Sequence, residues 1–586
     1  MSVAAPRAPA VVEPDRTVQT LAIDPHRRVQ KPVRFGSPSR SRRLESLAIF
    51  LIFGLGFGTL GYWLIVSAHV VSFDSLTRLA NAYLAWHNVP SKLAAIGFTQ
   101  PPLQTFALLP LALFTSLAKS LLALPICSAV FGGLTMTVIN RLLERCQLAA
   151  PLRYLTLLLF AVIPTVCFYA AGGGAEMIAL YLLAVSVSAL IAWLITLDTR
   201  YLVVAGMVFA LAGLADYSAF AWMALGAVMV AVVLYRHRAR NAEVEGSLIT
   251  YLTPSLYALL VWTVLGALIV GRPFGWLDGG HAAAVSTSTV TAVPVTLLHA
   301  LHQTLTLTWS SAPLALIVIP ALLVTAVVKR DELAAWVAAF SILALLSPAT
   351  EALIYRDASQ MQLAKGLPLL LMSLFGAAVL YRSFATLRPL VGIALIAGLA
   401  GSAVVVWHGM ATYPYQNLEQ AFHRAVATGH SQEGTVSRGG IQVGINSELA
   451  MAQYINAHVR ANKSVLTDNS QTYAVILLTG RPGVFQTRID HGDAPWLRAV
   501  KRPPRSVRYM LIAQNASGDL IRQTYPQAAS GNSAGLTVVY SDPRYTLLSV
   551  AAGVTYKTQS TPSSSPSGPI DLSATAGAAR SLQVTP

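Results

Sequence analysis

The sequence predicts a polytopic α-helical membrane protein with a C-terminal extracytoplasmic α/β domain. Of its 586 residues 54% are hydrophobic and 11% charged, and mean hydropathy is +0.57, outside the usual range for soluble globular chains. The apolar residues recur in runs of about 17–25, the number a helix needs to cross roughly 30 Å of hydrocarbon. After residue 447 these runs give way to short alternating segments bounded by turns, the pattern of α/β units.

Residues 1–43 carry Arg27, Arg28, Lys31, Arg34, Arg40, Arg42 and Arg43 without helical or strand period, and read as a disordered basic arm. The run from Leu47 to Ala68 exceeds the about 7–15 residues of a cleavable signal, so it remains as the first crossing. Further crossings are expected at 120–141, 152–170, 176–197, 201–217, 218–235, 249–270, 312–328, 333–348, 365–381 and 389–408. With the first, at 46–68, they make about eleven.

The stretch 102–118 is short enough to cross or to lie in the interface. If it does not cross, the basic arm, Arg141, Arg145, Arg153, Arg200, the cluster Arg236–His237–Arg238–Ala239–Arg240, Lys329, Arg330, Arg382 and Arg388 all face one side. The positive-inside bias makes that side cytoplasmic and makes 102–118 juxtamembrane. The chain is then a multi-pass plasma-membrane protein with its N-terminus inside and everything after about residue 409 outside. Much of the net charge of +16 is thus topological, which argues against a nucleic-acid partner. The three cysteines all lie in or beside apolar runs, so no disulfide framework is implied.

In the last third we expect helices at 447–460, 470–479 and 516–525, with strands at 464–467, 484–487, 507–513, 536–540 and 545–550. Asp490 and Asp493 read as turn residues rather than ligands. No Gly-rich phosphate loop separates a strand from a helix, which argues against a dinucleotide fold. A transmembrane domain over 44–408, an α/β domain over 409–556 and a disordered Ser/Thr/Pro-rich tail over 557–586 complete the organisation.

Ionisable residues at membrane depth or at a bundle mouth are costly and therefore functional candidates. Asp74 and Arg78 follow the first crossing, Glu176 opens another after Gly172–Gly173–Gly174, and Asp216–Tyr217 forms a turn between two more. Each has a local reading: Asp74 as a helix N-cap paired with Arg78, Glu176 as a first-turn acid, Asp216 as a loop cap. Their convergence on one predicted face raises the functional reading.

The order of basic arm, first helix, Asp74 with Arg78, and then Gly97–Phe98–Thr99–Gln100–Pro101–Pro102–Leu103 resembles the GT-C superfamily of membrane glycosyltransferases. The protein mannosyltransferase and aminoarabinose transferase group is the most similar. The resemblance covers roughly residues 44–240, with Glu176 at the position of the family's second acidic residue, and departs from the pattern at Ser75 and at Thr99–Gln100. It implies transfer of a sugar from a polyprenyl-phosphate donor to a glycan, lipid or protein acceptor on the outer face. Asp74 and Glu176 would be the catalytic carboxylates and could share a divalent metal ion. Arg78, Arg272, Arg356 and Lys365 would hold phosphate, with Gln100, Asp216 and Tyr217 also in the substrate site. A transporter or flippase of lipid-linked saccharides is the alternative, although no internal repeat is evident.

Overall fold

The computed structural model describes residues 40–551 except 99, 272, 276–295, 439, 492, 515–518 and 531–534. Most of the basic arm, the C-terminal tail and Arg272 therefore lie outside the described residues. Helix α1 (Arg40–Trp63) continues through a π-helical turn to Ala68, where His69 ends it in the left-handed region at φ 55°. Helix α2 (Phe73–His87) follows and carries Asp74 and Arg78. The stretch 102–118 folds as two short helices, α3 (Leu103–Ala112) and α4 (Thr115–Lys119), and neither is long enough to cross a bilayer.

The bundle continues with α5 (Ala123–Arg145), α6 (Ala150–Ala161), α7 (Pro164–Ala171), α8 (Glu176–Thr196), α9 (Thr199–Ala215), α10 (Ala219–Arg236) and α11 (Asn241–Val270). It is completed by α12 (Leu297–Ser311), α13 (Ala315–Val328), α14 (Glu332–Tyr355), α15 (Leu367–Ser383) and α16 (Arg388–Thr412). Among the described residues eight helices are long and apolar enough to cross, or up to ten if each bent pair is one span. Helix α9, at 17 residues, is the remaining expected segment and falls short of that length.

Two of the expected crossings belong to bent helix pairs. The 152–170 segment is the pair α6 and α7, bent by 70° where Pro164 opens α7, a residue that cannot donate to the preceding turn. The 312–328 segment is the second arm of a pair, α12 and α13, bent by 104°.

One end of the bundle is closed by ion pairs between helices. Arg42 meets Glu144 at 3.2 Å, Arg236 meets Glu332 at 3.5 Å, and the buried Arg153 meets Glu45. The candidate residues lie at the other end.

At that end stands the C-terminal unit: α17 (Glu419–Thr428), α18 (Asn446–His458), β1 (Val465–Thr467), α19 (Asn469–Thr479), β2 (Phe485–Gln486), α20 (Arg488–His491), α21 (Asp493–Lys501), β3 (Tyr509–Ala513), α22 (Leu520–Thr524), β4 (Leu536–Ser541) and β5 (Tyr545–Val550). Its sheet runs β2-β1-β3-β5-β4, parallel across the first three strands and antiparallel across the last three. The five expected strands are present. Helices α17, α20 and α21 were not anticipated, and α20 and α21 place Asp490 and Asp493 in helices rather than in a turn at a strand end.

This unit packs on α2. Tyr83 donates to the Gly480 carbonyl at 3.1 Å, and the Arg544 guanidinium lies 5.0 Å from the centre of the Phe73 ring. Arg544 also donates to Glu448 at 2.7 Å, and Tyr545 donates to the same oxygen at 3.1 Å. Glu448 is fully buried, and a buried carboxylate that loses its cation is strongly destabilising. Arg544→Met should therefore cost about 3 kcal/mol of local stability. Hydrogen exchange in α18 and β5 should accelerate accordingly, and unchanged exchange would show that the pair does not hold the unit together.

Candidate active site

Asp74 sits in the first turn of α2, whose N-cap is Ser72. Its carboxylate is therefore not the cap. It accepts instead from Arg78 Nε at 3.1 Å, and Arg78 Nη1 donates to the Pro101 carbonyl at 2.7 Å. The Arg78 side chain is only 9% exposed whereas that of Asp74 is 43% exposed. The cation is thus a buried tie between α2 and the Pro-Pro turn, and the anion faces open space.

From that turn, Gln104 on α3 reaches across the bundle and donates to the Gly173 carbonyl at 2.8 Å. Ser128 on α5 accepts from the Gly173 amide at 3.1 Å. The triple-glycine turn is thereby pinned on both sides. Gly173 has φ +80°, and a Cβ there would fall 2.5 Å from that of Leu124, so only glycine fits without strain. At Gly174 a Cβ would fall 2.1 Å from Glu176 Oε2, because the Glu176 carboxylate folds back over that position.

Glu176 opens α8 partly exposed, within electrostatic range of Asp74, Arg78 and Glu419. Asp216 forms the expected loop cap, its Oδ1 accepting from the Ser218 amide at 2.9 Å. It also lies within electrostatic range of Lys365 and Arg78. Lys365 pairs with Glu351 at 3.0 Å and lies within electrostatic range of Asp216 and Glu176. Tyr217 lies within range of Arg78, and burial pushes its phenol up to about 12, which keeps it a neutral group.

The structure thus brings Asp74, Arg78, Glu176, Asp216, Tyr217 and Lys365 together from α2, α8, the α9–α10 turn and the turn before α15. Gln100 is partly exposed and adjacent to Pro101. No hydrogen bond or ion pair among the described residues ties Arg356 to them. It is exposed and ends α14 in the left-handed region at φ 53°. Among the described residues no group of three or more His, Cys, Asp or Glu is placed to hold a metal ion.

Sequence reasoning missed Glu351, Glu419 and Gln104. Glu351 carried a usable signal, an ionisable residue at the end of an apolar helix. Glu419 carried none, because it lies in a mixed stretch and is buried only by tertiary packing, and Gln104 is a lone amide in an apolar stretch whose partner is set by that packing.

No family model matches the sequence, and no curated protein matches it. The structure is similar to a crystal structure of ArnT from Cupriavidus metallidurans bound to undecaprenyl phosphate, with a TM-score of 0.51 at 12% identity, covering 88% of this chain and 99% of that one. The apo state of the same protein gives a TM-score of 0.51 at 12% identity, with 86% and 98% covered. The chain shares its fold with ArnT. The matched share of this chain, 88%, reaches well beyond residues 44–240.

Two outcomes follow for the site itself. Gly173→Ala should lower the thermal midpoint through backbone strain of about 1–3 kcal/mol, whereas Gly174→Ala needs only a carboxylate to swing away and should melt near wild type. Equal losses would contradict the difference between the two glycines. At Asp216, burial opposes the charge, but Lys365, the two Ser218 hydrogen bonds and Arg78 outweigh it and hold the carboxyl below its ordinary 3.8. A lowered folded value means that its stabilising contribution is present above 3.8 and is lost as pH falls through that lower value. Asp216→Asn should flatten this acid-side loss in melts run against pH, and an unchanged pH profile would remove Asp216 as its source.

Proposed function

We propose that this chain is a glycosyltransferase that moves a sugar from a polyprenyl-phosphate donor to an acceptor at the outer face of the membrane. The observation that carries the reading is the meeting of two partly exposed carboxylates, Asp74 and Glu176, with Arg78 and Lys365 at one end of an apolar bundle. Transfer from a sugar phosphate needs these elements: a base for the acceptor hydroxyl and a cation for the departing phosphate.

A lipid-borne donor also needs an apolar path to that end. Met207 and Leu211 on α9, with Ile249, Pro254 and Tyr257 on α11, line a shallow groove of about 790 Å³. Asp216 follows Leu211 by five residues, about 7.5 Å of helical rise. The α9 wall of the groove thus lies within about two helical turns of the charged mouth. ArnT, which shares the fold, was crystallised with undecaprenyl phosphate, and this supports a carrier of the same chemistry here. The opposite end bears Arg42, Arg153, Arg236 and Lys329, which supports a cytoplasmic position for it and an outer position for the site.

In this reading Asp74 or Glu176 accepts the proton of the acceptor hydroxyl as its oxygen bonds to the anomeric carbon. The bond from that carbon to the phosphate oxygen breaks, and polyprenyl phosphate leaves with its new charge held by Lys365. Arg78 is already committed to Asp74 and Pro101, so it aims the Asp74 carboxylate and supplies positive potential. The three-ligand set that a tightly held ion requires is not assembled by the described residues, and no step here depends on a metal.

Membranes containing the protein, given radiolabelled polyprenyl-phosphate sugars, should pass label to an envelope glycan, lipid or protein. Label that crosses the bilayer while still attached to its carrier would indicate a flippase instead. Asp74→Asn and Glu176→Gln should each leave less than a tenth of the transfer rate, a loss of more than about 1.4 kcal/mol in transition-state stabilisation. The double variant should be little worse than either, since groups acting as a unit are non-additive. Multiplicative losses would assign the two carboxylates separate roles.

A further inference from the structure

Glu419 is the first residue of α17, the first helix beyond the bundle, and it is fully buried. Its Oε1 accepts from the Tyr169 hydroxyl on α7, and its Oε2 accepts from the Asn417 amide at 2.6 Å. One residue before Tyr169, the Phe168 ring packs on Phe422 at 5.4 Å between centres. The Tyr169 ring edge also flanks the seat of Glu176. A Cβ built on Gly174 would lie 2.1 Å from Glu176 Oε2 and 3.6 Å from Tyr169 Cδ1, so ring and carboxylate border the same notch.

We propose that Glu419 is a positioning residue for Glu176, acting through Tyr169. The hydrogen bond fixes the rotation of the phenol, the ring closes one side of the notch, and Gly174 leaves the floor open, so the Glu176 carboxylate has one seat. The charged groups around that seat are Asp74 and Arg78 from α2, Lys365 from the turn before α15, and Glu419 itself. The segment leading to Glu419 braces the Lys365 turn as well: Tyr413 donates to the Met361 carbonyl at 2.7 Å, and the Leu363 amide donates to the Tyr415 carbonyl at 3.1 Å. A single linker therefore sets both sides of the site. The inference rests on the transferase reading for the consequence of moving Glu176, but not for the movement itself.

The test uses the full chain in nanodiscs with Tyr169→Phe, which removes one hydroxyl, and Glu419→Ala, alone and combined. Structures by cryo-electron microscopy should show the Glu176 carboxylate displaced from its place over Gly174 in every variant. In the sugar-transfer assay kcat should fall about tenfold with the donor KM within about twofold of wild type, and the double variant should be no worse than either single one. A Glu176 carboxylate that stays in place in Tyr169→Phe would overturn the proposal, as would a fall in thermal midpoint with kcat unchanged. If the wild-type protein transfers no sugar, the transferase reading fails, and the carboxylate position still decides whether Glu419 positions Glu176.

Discussion

A cation buried at the end of an apolar bundle must have its donors satisfied, and Arg78 meets that demand by tying the first turn of its own helix to the Pro-Pro turn that follows. One arm holds Asp74, and another holds the carbonyl of Pro101. Pro101 precedes α3, from which Gln104 secures the glycine turn that presents Glu176. The position of each carboxylate thus traces back through a few hydrogen bonds to one guanidinium. This also explains why Arg78 is nearly hidden while its partner acid is open: the pair is asymmetric, with a structural cation and an available anion.

The second constraint is that α2 has solvent and protein on different faces. An isolated helix of about 15 residues is marginal in water, and the C-terminal unit covers one face of this one. Tyr83 bonds to Gly480, and Arg544 stacks on Phe73, the residue before Asp74. The α/β unit therefore works as a backing plate for the acid-bearing helix, and the linker through Glu419 ties the same unit to the second carboxylate.

Much of this was legible in the sequence because membrane spans and strands leave strong periodic signals. The apolar runs located the bundle helices other than α12, which fell between two expected crossings, charge placed 102–118 outside the crossing set, and alternation located all five strands. What escaped detection depends on packing. The 70° bend at Pro164 looks like an ordinary apolar run, since nothing local says that the chain turns there instead of kinking slightly. Asp74, Glu176, Asp216 and Lys365 were visible as rare charges near apolar segments. Arg356 had the same local appearance and proved to be an exposed helix terminus, because a sequence shows where a charge sits along a helix but not which way it faces. Glu419 and Tyr169 were invisible for the opposite reason, their pairing being set by how α17 lands on α7.

The most direct measurement is the position of a bound carrier. A cryo-electron microscopy structure of the full chain in nanodiscs with undecaprenyl phosphate should place the phosphate against Lys365 beside the Asp74–Arg78 pair, with the isoprenoid running along the groove between α9 and α11. Phosphate density at the opposite end, near Arg236 and Lys329, or an isoprenoid that avoids the groove while Lys365 keeps only Glu351, would contradict a donor site at the carboxylate mouth.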